Sequence, residues 1–139
     1  ALQRRVTASR HNFLASREPE DMAALERAGI TDDFTMGYAD TAGFRLGTSR
    51  PVRRIDASTR TLSRLVLHPL AVMDSTLSES KYMRLSAEEA QEYCFHLTRE
   101  TAKAHGELVL LWHNTSVVEA NGGYHRELYG RILDKIKRS

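Results

Sequence analysis

Apolar and polar positions recur along the chain with two periods, and the period assigns each segment to a strand or a helix. Residues 5–9 are compatible with a strand, and residues 33–38 alternate with a period of two. Residues 65–73 form an apolar strand interrupted by Pro69, which donates no ladder hydrogen bond and so belongs at an edge, a bulge or a strand start. Residues 108–112 form a continuous apolar run, which indicates a strand buried on both faces of a parallel sheet.

Three segments carry the spacing and the end signals of helices. Residues 19–21 open a short helix that Gly29 ends. Ser86 and Glu89 form a capping box, and the helix that follows them continues to Gly106. The last helix carries an apolar row made of Tyr124, Leu128, Ile132 and Ile136. The order of strands and helices predicts an α/β fold with a mainly parallel sheet.

Composition restricts the class of protein without deciding its function. The chain has 139 residues, of which 41% are hydrophobic and 27% charged, so residues 1–139 are interpreted as a single unit. No apolar run approaches the roughly 20 residues of a membrane-spanning helix, so we expect no membrane association. A net charge of +2 is too small to favour nucleic acid. Cys94 falls on an apolar helix stripe, where a buried, unreactive thiol is expected.

Residues capable of chemistry follow the apolar segments at the points where strands end. Arg10 and His11 follow the first strand, Asp74 follows the interrupted strand, and His113 and Asn114 follow the last. In parallel α/β folds the carboxyl ends of the strands meet at one rim, where binding and catalytic residues gather. Aspartate, histidine and arginine on one rim suffice for acid–base chemistry, for metal binding or for holding an oxyanion.

Arg45 is a further candidate, because Gly43 and Gly47 flank it and let the backbone approach a ligand closely. Each candidate has a structural alternative: His11 could donate to a carbonyl, Asp74 could cap a turn, and Arg45 could form a structural salt bridge. The histidines expected to have structural or exposed positions are His68, His96, His105 and His125. The chain contains no GxxxxGK[ST], GxGxxG, HExxH or GxSxG motif.

Three segments in a fixed order resemble a known family. They are GFRLGT at 43–48, PLAVMDSTL at 69–77 and LWHN at 111–114, and residues 10–14 and 29–38 fit the same pattern. Together they resemble the C-terminal half of polysaccharide deacetylase-like proteins, carbohydrate esterases of the NodB-homology class, in a divergent bacterial branch. The resemblance implies a distorted (β/α) barrel of about seven strands, to which this chain would contribute the later strands and helices.

The resemblance also implies an activity, the removal of acetyl groups from a glycan or a related amide or ester. Members of the family use a divalent metal, commonly zinc, held by one aspartate and two histidines. His113 matches the histidine that protonates the leaving amine, Arg45 matches the arginine that orients the catalytic base, and Asp74 is expected on the same rim. The residues expected to bind substrate are Arg10, His11, Trp112 and Asn114. The metal-binding motifs do not occur in this chain, so the metal ligands would lie outside it.

Two hypotheses of different classes follow. In the first, the chain is the C-terminal portion of a larger, metal-dependent deacetylase. In the second, it is a non-catalytic glycan-binding module that lacks the metal triad, which the retention of Arg45 and Trp112 favours. Both leave open strand edges, which a missing N-terminal segment or a second copy of the chain would cover. The compartment stays open between the bacterial cytoplasm and the periplasm.

Overall fold

The computed structural model describes residues 4–56, 59–118 and 123–137. It has a mixed α/β architecture with mainly parallel strands, about 40% helix and 18% strand, which confirms the predicted α/β fold with a mainly parallel sheet. The strands are β1 (Ala8–Ser9), β2 (Asp32–Asp33), β3 (Val52–Asp56), β4 (Thr61–Leu67), β5 (Leu70–Met73) and β6 (Val109–Leu111). The helices are α1 (Glu20–Ala28), α2 (Asp74–Ser78), α3 (Ala87–Lys103) and α4 (His125–Lys137), with 3-10 turns at Asn12–Leu14 and Asn114–Val117. None of these helices is long and apolar enough to span a membrane.

The strands form two hydrogen-bonded groups that the backbone joins into one arc. Four strands pair in the order β1-β2-β4-β3, with β3 antiparallel to β4 and the others parallel, and β5 pairs with β6 in parallel. Between the groups, His68 N donates to Asp33 O at 2.8 Å and Leu70 N donates to Met36 O at 2.9 Å. The chain therefore passes from β4 into β5 beside residues 34–36, which follow β2 and are called here the extension of β2. The carboxyl ends of β1, β2, β5 and β6 accordingly lie along one rim.

The local signals predict the end of α1 and the start of α3 correctly, but not the end of α3. Gly29 ends α1 in the left-handed conformation with φ 83°, and the capping box of Ser86 and Glu89 opens α3. The predicted end of α3 at Gly106 is too late, because the helix stops at Lys103 and His105 takes the left-handed turn with φ 51°. Gly106 has a different use: a Cβ there would lie 2.0 Å from Ser49 Oγ, so only glycine allows this close approach.

The strands depart further from the hydrophobic pattern. β1 and β2 contain two residues each, and Pro69 separates β4 from β5 at a strand start, one of the positions predicted for it. The basic run at 50–54 was not expected to form a strand, yet β3 begins within it. Arg54 and Asp56 lie on the half-buried face of β3 while Ile55 is exposed, so the pattern there is the reverse of the usual alternation.

The segment 108–112 was expected to be buried on both faces, and this is wrong. Val109–Leu111 is only half-buried, because β6 has β5 as its one strand partner among the described residues and so lies at an edge. Burial on both faces requires a strand and a layer on each side, and the arrangement of the described elements does not provide them.

Two apolar clusters stabilise the fold. One packs α3 and α4 against β5 and includes Val72, Cys94 and Ile132, all at most 1% exposed. The other packs α1 against β4 through Met22 and Leu65, both fully buried. Each such side chain contributes about 1.5–3 kcal/mol on burial. The buried position expected for Cys94 is confirmed, and burial raises the pKa of its thiol to about 12.

Candidate functional site

Asp74 and His113 form a hydrogen-bonded pair at the rim, although 39 residues separate them in sequence. Asp74 follows β5 and His113 lies two residues beyond β6, and the parallel register pairs Met73 with Leu111. His113 Nδ1 lies 2.7 Å from Asp74 Oδ1, and His113 N donates to Asp74 Oδ2 at 2.8 Å. The carboxylate is fully buried, whereas the imidazole is 50% exposed. Asp74 is therefore the buried residue of the pair, and His113 is the residue that solvent or a ligand can reach.

The surroundings of Asp74 keep its carboxyl group ionised. Burial by itself would raise the pKa of Asp74. Hydrogen bonds from the Ser116 side chain, from His113 through both its backbone and its ring, and from the Ser75 backbone outweigh burial and hold the pKa of Asp74 below its ordinary value. Asp74 is consequently a carboxylate at neutral pH and accepts every one of these hydrogen bonds.

The ionised carboxylate determines the proton arrangement of His113. Because Asp74 can only accept, Nδ1 of His113 carries a proton and donates it, which leaves Nε2 as the nitrogen that exchanges protons. A buried aspartate in this position also holds the orientation of the ring. The geometry thus equips His113 to accept a proton on Nε2 and to release it again.

His113 lines a cavity of about 710 Å³ at the rim, a size within the roughly 300–1,000 Å³ of small-molecule sites. The residues that line this cavity lie at or follow the carboxyl ends of β1, β2, β5 and β6. Arg10 and His11 follow β1, Ala39 follows the extension of β2, and Ser75 follows β5. The structure therefore brings Arg10, His11 and His113 together, as the strand-end rule predicted, with Asp74 directly behind His113.

Arg10 and His11 are held in the wall by contacts to the backbone. Arg10 Nε donates to Phe34 O at 3.2 Å, and burial lowers the pKa of this guanidinium from its ordinary value. His11 Nδ1 lies 3.0 Å from Ala15 O, so the carbonyl contact offered as its structural alternative is present. A contact at Nδ1 still leaves Nε2 of His11 for a ligand.

The opposite part of the wall comes from residues that the hydrophobic pattern did not single out. Lys81 Nζ lies 3.1 Å from Glu79 Oε2 and 4.7 Å from the centre of the Tyr82 ring, and all three residues line the cavity. They follow the five-residue helix α2, which turns the chain back over the rim. The only local signal for this placement is Asp74-Ser75-Thr76, a polar run that can open a short helix after a strand.

Besides Asp74, which lies behind His113, three predicted site residues lie outside the cavity wall. Arg45 is exposed and its Nη1 donates to Gly37 O at 3.4 Å, although Gly43 and Gly47 do provide the expected turn with φ 139° and 68°. Trp112 packs on α4, with its ring centre 5.5 Å from that of Tyr129. The reason is that successive residues after β6 point in opposite directions, so that His113 faces the cavity and Trp112 faces the helix. Asn114 begins a 3-10 turn and is exposed.

The divalent metal that the resemblance implies does not fit the residues at this rim. In the described ranges, no three His, Cys, Asp or Glu side chains come together in a way that could hold a metal ion. Asp74 already receives hydrogen bonds on both carboxylate oxygens. The described residues at this rim therefore offer no set of metal ligands through which a chemical step could run.

No family model, curated protein or solved structure matches the chain. The resemblance to polysaccharide deacetylase-like proteins accordingly stays an expectation based on short motifs. The function is inferred from the side chains at the rim.

Proposed function

We propose that the chain belongs to a hydrolase acting on an acetylated glycan or a related amide or ester, with His113 as its general acid. The observation that carries this proposal is that His113, which lines a cavity of ligand size, is hydrogen-bonded to the buried Asp74 behind it. Asp74 is the positioning residue, since it holds the imidazole by Nδ1 and is itself shielded from solvent. Arg10 and His11 bind the substrate across the cavity.

Hydrolysis of the acetyl amide requires that the leaving nitrogen be protonated as its bond to carbon breaks. When water adds to the acetyl carbonyl and the bond from carbon to nitrogen breaks, the departing nitrogen takes the electron pair and needs a proton. Nε2 of His113 is placed to accept the proton that the adding water loses and to return that proton to the departing nitrogen, while Asp74 holds the ring through Nδ1. The products are acetate and the free amine, or an alcohol when the substrate is an ester.

We also propose that the strand arc belongs to a (β/α) barrel. Support comes from the parallel pairing of β1, β2 and β4, from β5 with β6, and from the placement of candidate residues at the carboxyl ends of these strands. Active sites of such barrels lie on that face. The described residues comprise an arc and not a closed barrel.

The test is acetate release from N-acetylglucosamine oligomers, measured with and without added zinc. The wild-type chain is expected to release acetate, and His113→Ala is expected to lower the rate by roughly 100-fold or more, as for a lost general acid. His96→Ala, which alters an exposed histidine on α3, is the matched control and should keep the wild-type rate. Equal rates for wild type and His113→Ala, or no release from the wild type, would contradict the proposal.

A second candidate is a glycan-binding module without catalysis. The lack of a metal-ligand cluster among the described side chains favours it. Isothermal titration with the same oligomers separates the candidates when it is combined with the acetate measurement. Saturable binding without acetate release supports the module, whereas release that depends on His113 supports the hydrolase.

A further inference from the structure

Phe13 projects from the rim as an unusually exposed aromatic side chain. It lies in the 3-10 turn Asn12–Leu14 that follows β1, lines the same cavity as His113, and is 88% exposed. A single exposed apolar residue is ordinary on a protein surface. The position of Phe13 in a cavity wall, and the backbone that presents it, are what set it apart.

The backbone holds Phe13 in a conformation that a phenylalanine disfavours. Phe13 and Leu14 have φ values of 55° and 54°, in the left-handed region that costs bulky residues about 1–3 kcal/mol each. The turn is kept in place by Asn12 Oδ1, which accepts from Phe13 N at 3.1 Å, and by the buried side chain of Leu14. The fold thus maintains an unfavourable turn whose result is an outward-facing ring.

The neighbouring aromatic rings already have partners. Tyr82, also in the wall, has the Lys81 ammonium 4.7 Å from its ring centre. Phe34 stacks on His68 with 4.3 Å between ring centres. Within the described part of the chain, Phe13 has neither an aromatic nor a cationic neighbour of this kind, so its ring face is open to a ligand.

The rest of the wall specifies what kind of ligand fits. Ser75, Glu79, Lys81 and His113 offer hydroxyl, carboxylate, ammonium and imidazole groups around the apolar ring. A pyranose matches this combination, because its hydroxyl edge forms hydrogen bonds while its axial C–H face contacts an aromatic ring. A purely apolar ligand would displace water from these polar groups without offering them hydrogen bonds in return.

We infer that Phe13 is the stacking platform for a sugar ring and thereby presents an acetylated saccharide to His113. The inference rests on the proposed glycan substrate and names the residue that recognises it. It also replaces Trp112, whose ring is committed to α4, as the aromatic residue in contact with substrate.

Isothermal titration of the N-acetylglucosamine tetramer into the whole chain tests this assignment, with thermal unfolding measured alongside. Phe13→Gly and Phe13→Leu are both expected to weaken binding by about three- to tenfold, the range for loss of an aromatic contact. Phe13→Gly should unfold at the wild-type midpoint or above it, because glycine adopts φ 55° without strain. Phe13→Tyr should keep wild-type affinity, and so should Leu62→Ala, which shortens a 58% exposed side chain on β4 outside the cavity wall.

The outcomes separate this inference from the proposed function. Wild-type affinity in Phe13→Gly and Phe13→Leu would overturn the role of Phe13 and leave the glycan hydrolase standing. If Phe13→Gly does not fold, Phe13→Leu decides by itself, since it keeps apolar bulk without a ring. A wild-type chain that neither binds the tetramer nor releases acetate would overturn both.

Discussion

The Asp74–His113 pair depends on hydrogen bonds that reach both oxygens of one buried carboxylate. Ser75 N donates to Oδ1 at 2.8 Å and His113 N donates to Oδ2 at 2.8 Å, so the side chain of Asp74 has little freedom to rotate. Because the pKa of Asp74 is lowered in the folded state, ionised Asp74 contributes stability above the ordinary pKa range of aspartate. That contribution is lost as the pH falls through the lowered value. The same residue therefore contributes to stability and to the proton arrangement of the site.

Asp74→Asn is expected to replace the fixed Nδ1–H tautomer of His113 with a mixture of tautomers, because an amide can present either its oxygen or its nitrogen to the ring. Each oxygen of Asp74 accepts a backbone donor, so an amide NH2 at either position leaves one donor unpaired and lowers stability by about 1–3 kcal/mol. An amide nitrogen facing the ring would also turn Nδ1 into an acceptor and move the proton to Nε2. Nitrogen-15 NMR of His113 in the neutral state reports this directly. Ser116→Ala, which keeps the carboxylate, is the control, and an unchanged Nδ1–H tautomer in Asp74→Asn would contradict the prediction.

At the scale of the elements, His68 connects three parts of the strand arc. It lies between β4 and β5, with Nε2 2.9 Å from Asp32 Oδ1 on β2 and Nδ1 2.7 Å from Glu107 Oε2, just before β6. Burial by itself would lower the pKa of His68. The hydrogen bonds and charges of Glu107 and Asp32 outweigh burial and raise the pKa of His68 above its ordinary value of 6.5. With a carboxylate at each nitrogen, the ring bonds to both only as imidazolium.

His68 makes stability depend on pH in a defined direction. Because its pKa is raised by folding, its contribution is complete below pH 6.5 and is lost as the pH rises through the folded-state value. Asp32, whose pKa is lowered by its hydrogen bonds to Thr31 and His68, loses its contribution as the pH falls through its own lowered value. The contact between His68 and Asp32 therefore contributes most to stability in mildly acidic solution, where His68 is protonated and Asp32 is ionised.

Urea unfolding across pH 5 to 9 is the measurement. The free energy of unfolding of the wild type should decrease above about pH 6.5, while His68→Gln should show a smaller decrease. His96→Gln, at an exposed position on α3, should follow the wild-type curve. Parallel curves for wild type and His68→Gln would show that the contact does not control this pH dependence.

At the scale of the whole molecule, β3 is an edge strand of the arc and has β4 as its one strand partner among the described residues. Ile55 on β3 and Leu62 on β4 are opposite each other in the antiparallel pair and are 68% and 58% exposed. Arg53 and Arg54 place positive charge on the same strand, which opposes pairing between two copies. Apolar side chains beside an unpaired edge still favour association at higher concentration.

We expect concentration-dependent association through this hairpin. Sedimentation velocity should show a species larger than the monomer as concentration rises. The double substitution Ile55→Thr and Leu62→Lys should shift the distribution toward the monomer. Ile136→Lys, which changes a 43% exposed residue on α4, is the control and should leave association unchanged. A monodisperse monomer at every concentration would contradict the expectation.

Local signals predicted those features of this chain whose causes are local. The start of α3 follows from Ser86 and Glu89, and the end of α1 from Gly29, since capping involves residues within one turn. The strand-end rule identified Arg10, His11, Asp74 and His113 because parallel strands bring their carboxyl ends to one rim. β3 was not predicted, because Arg54 and Asp56 occupy its half-buried face.

The sequence by itself determined the α/β class, the starts of α1, α3 and α4 and the polar residues that follow strands, because these depend on short-range periodicity and capping. Only the tertiary structure decided which of those residues meet. The register of β5 and β6 pairs Asp74 with His113, the alternation after β6 turns Trp112 away, and the left-handed turn leaves Phe13 exposed in the cavity wall. These outcomes depend on contacts between segments far apart in the chain, and hydrophobic periodicity carries no information about such pairings.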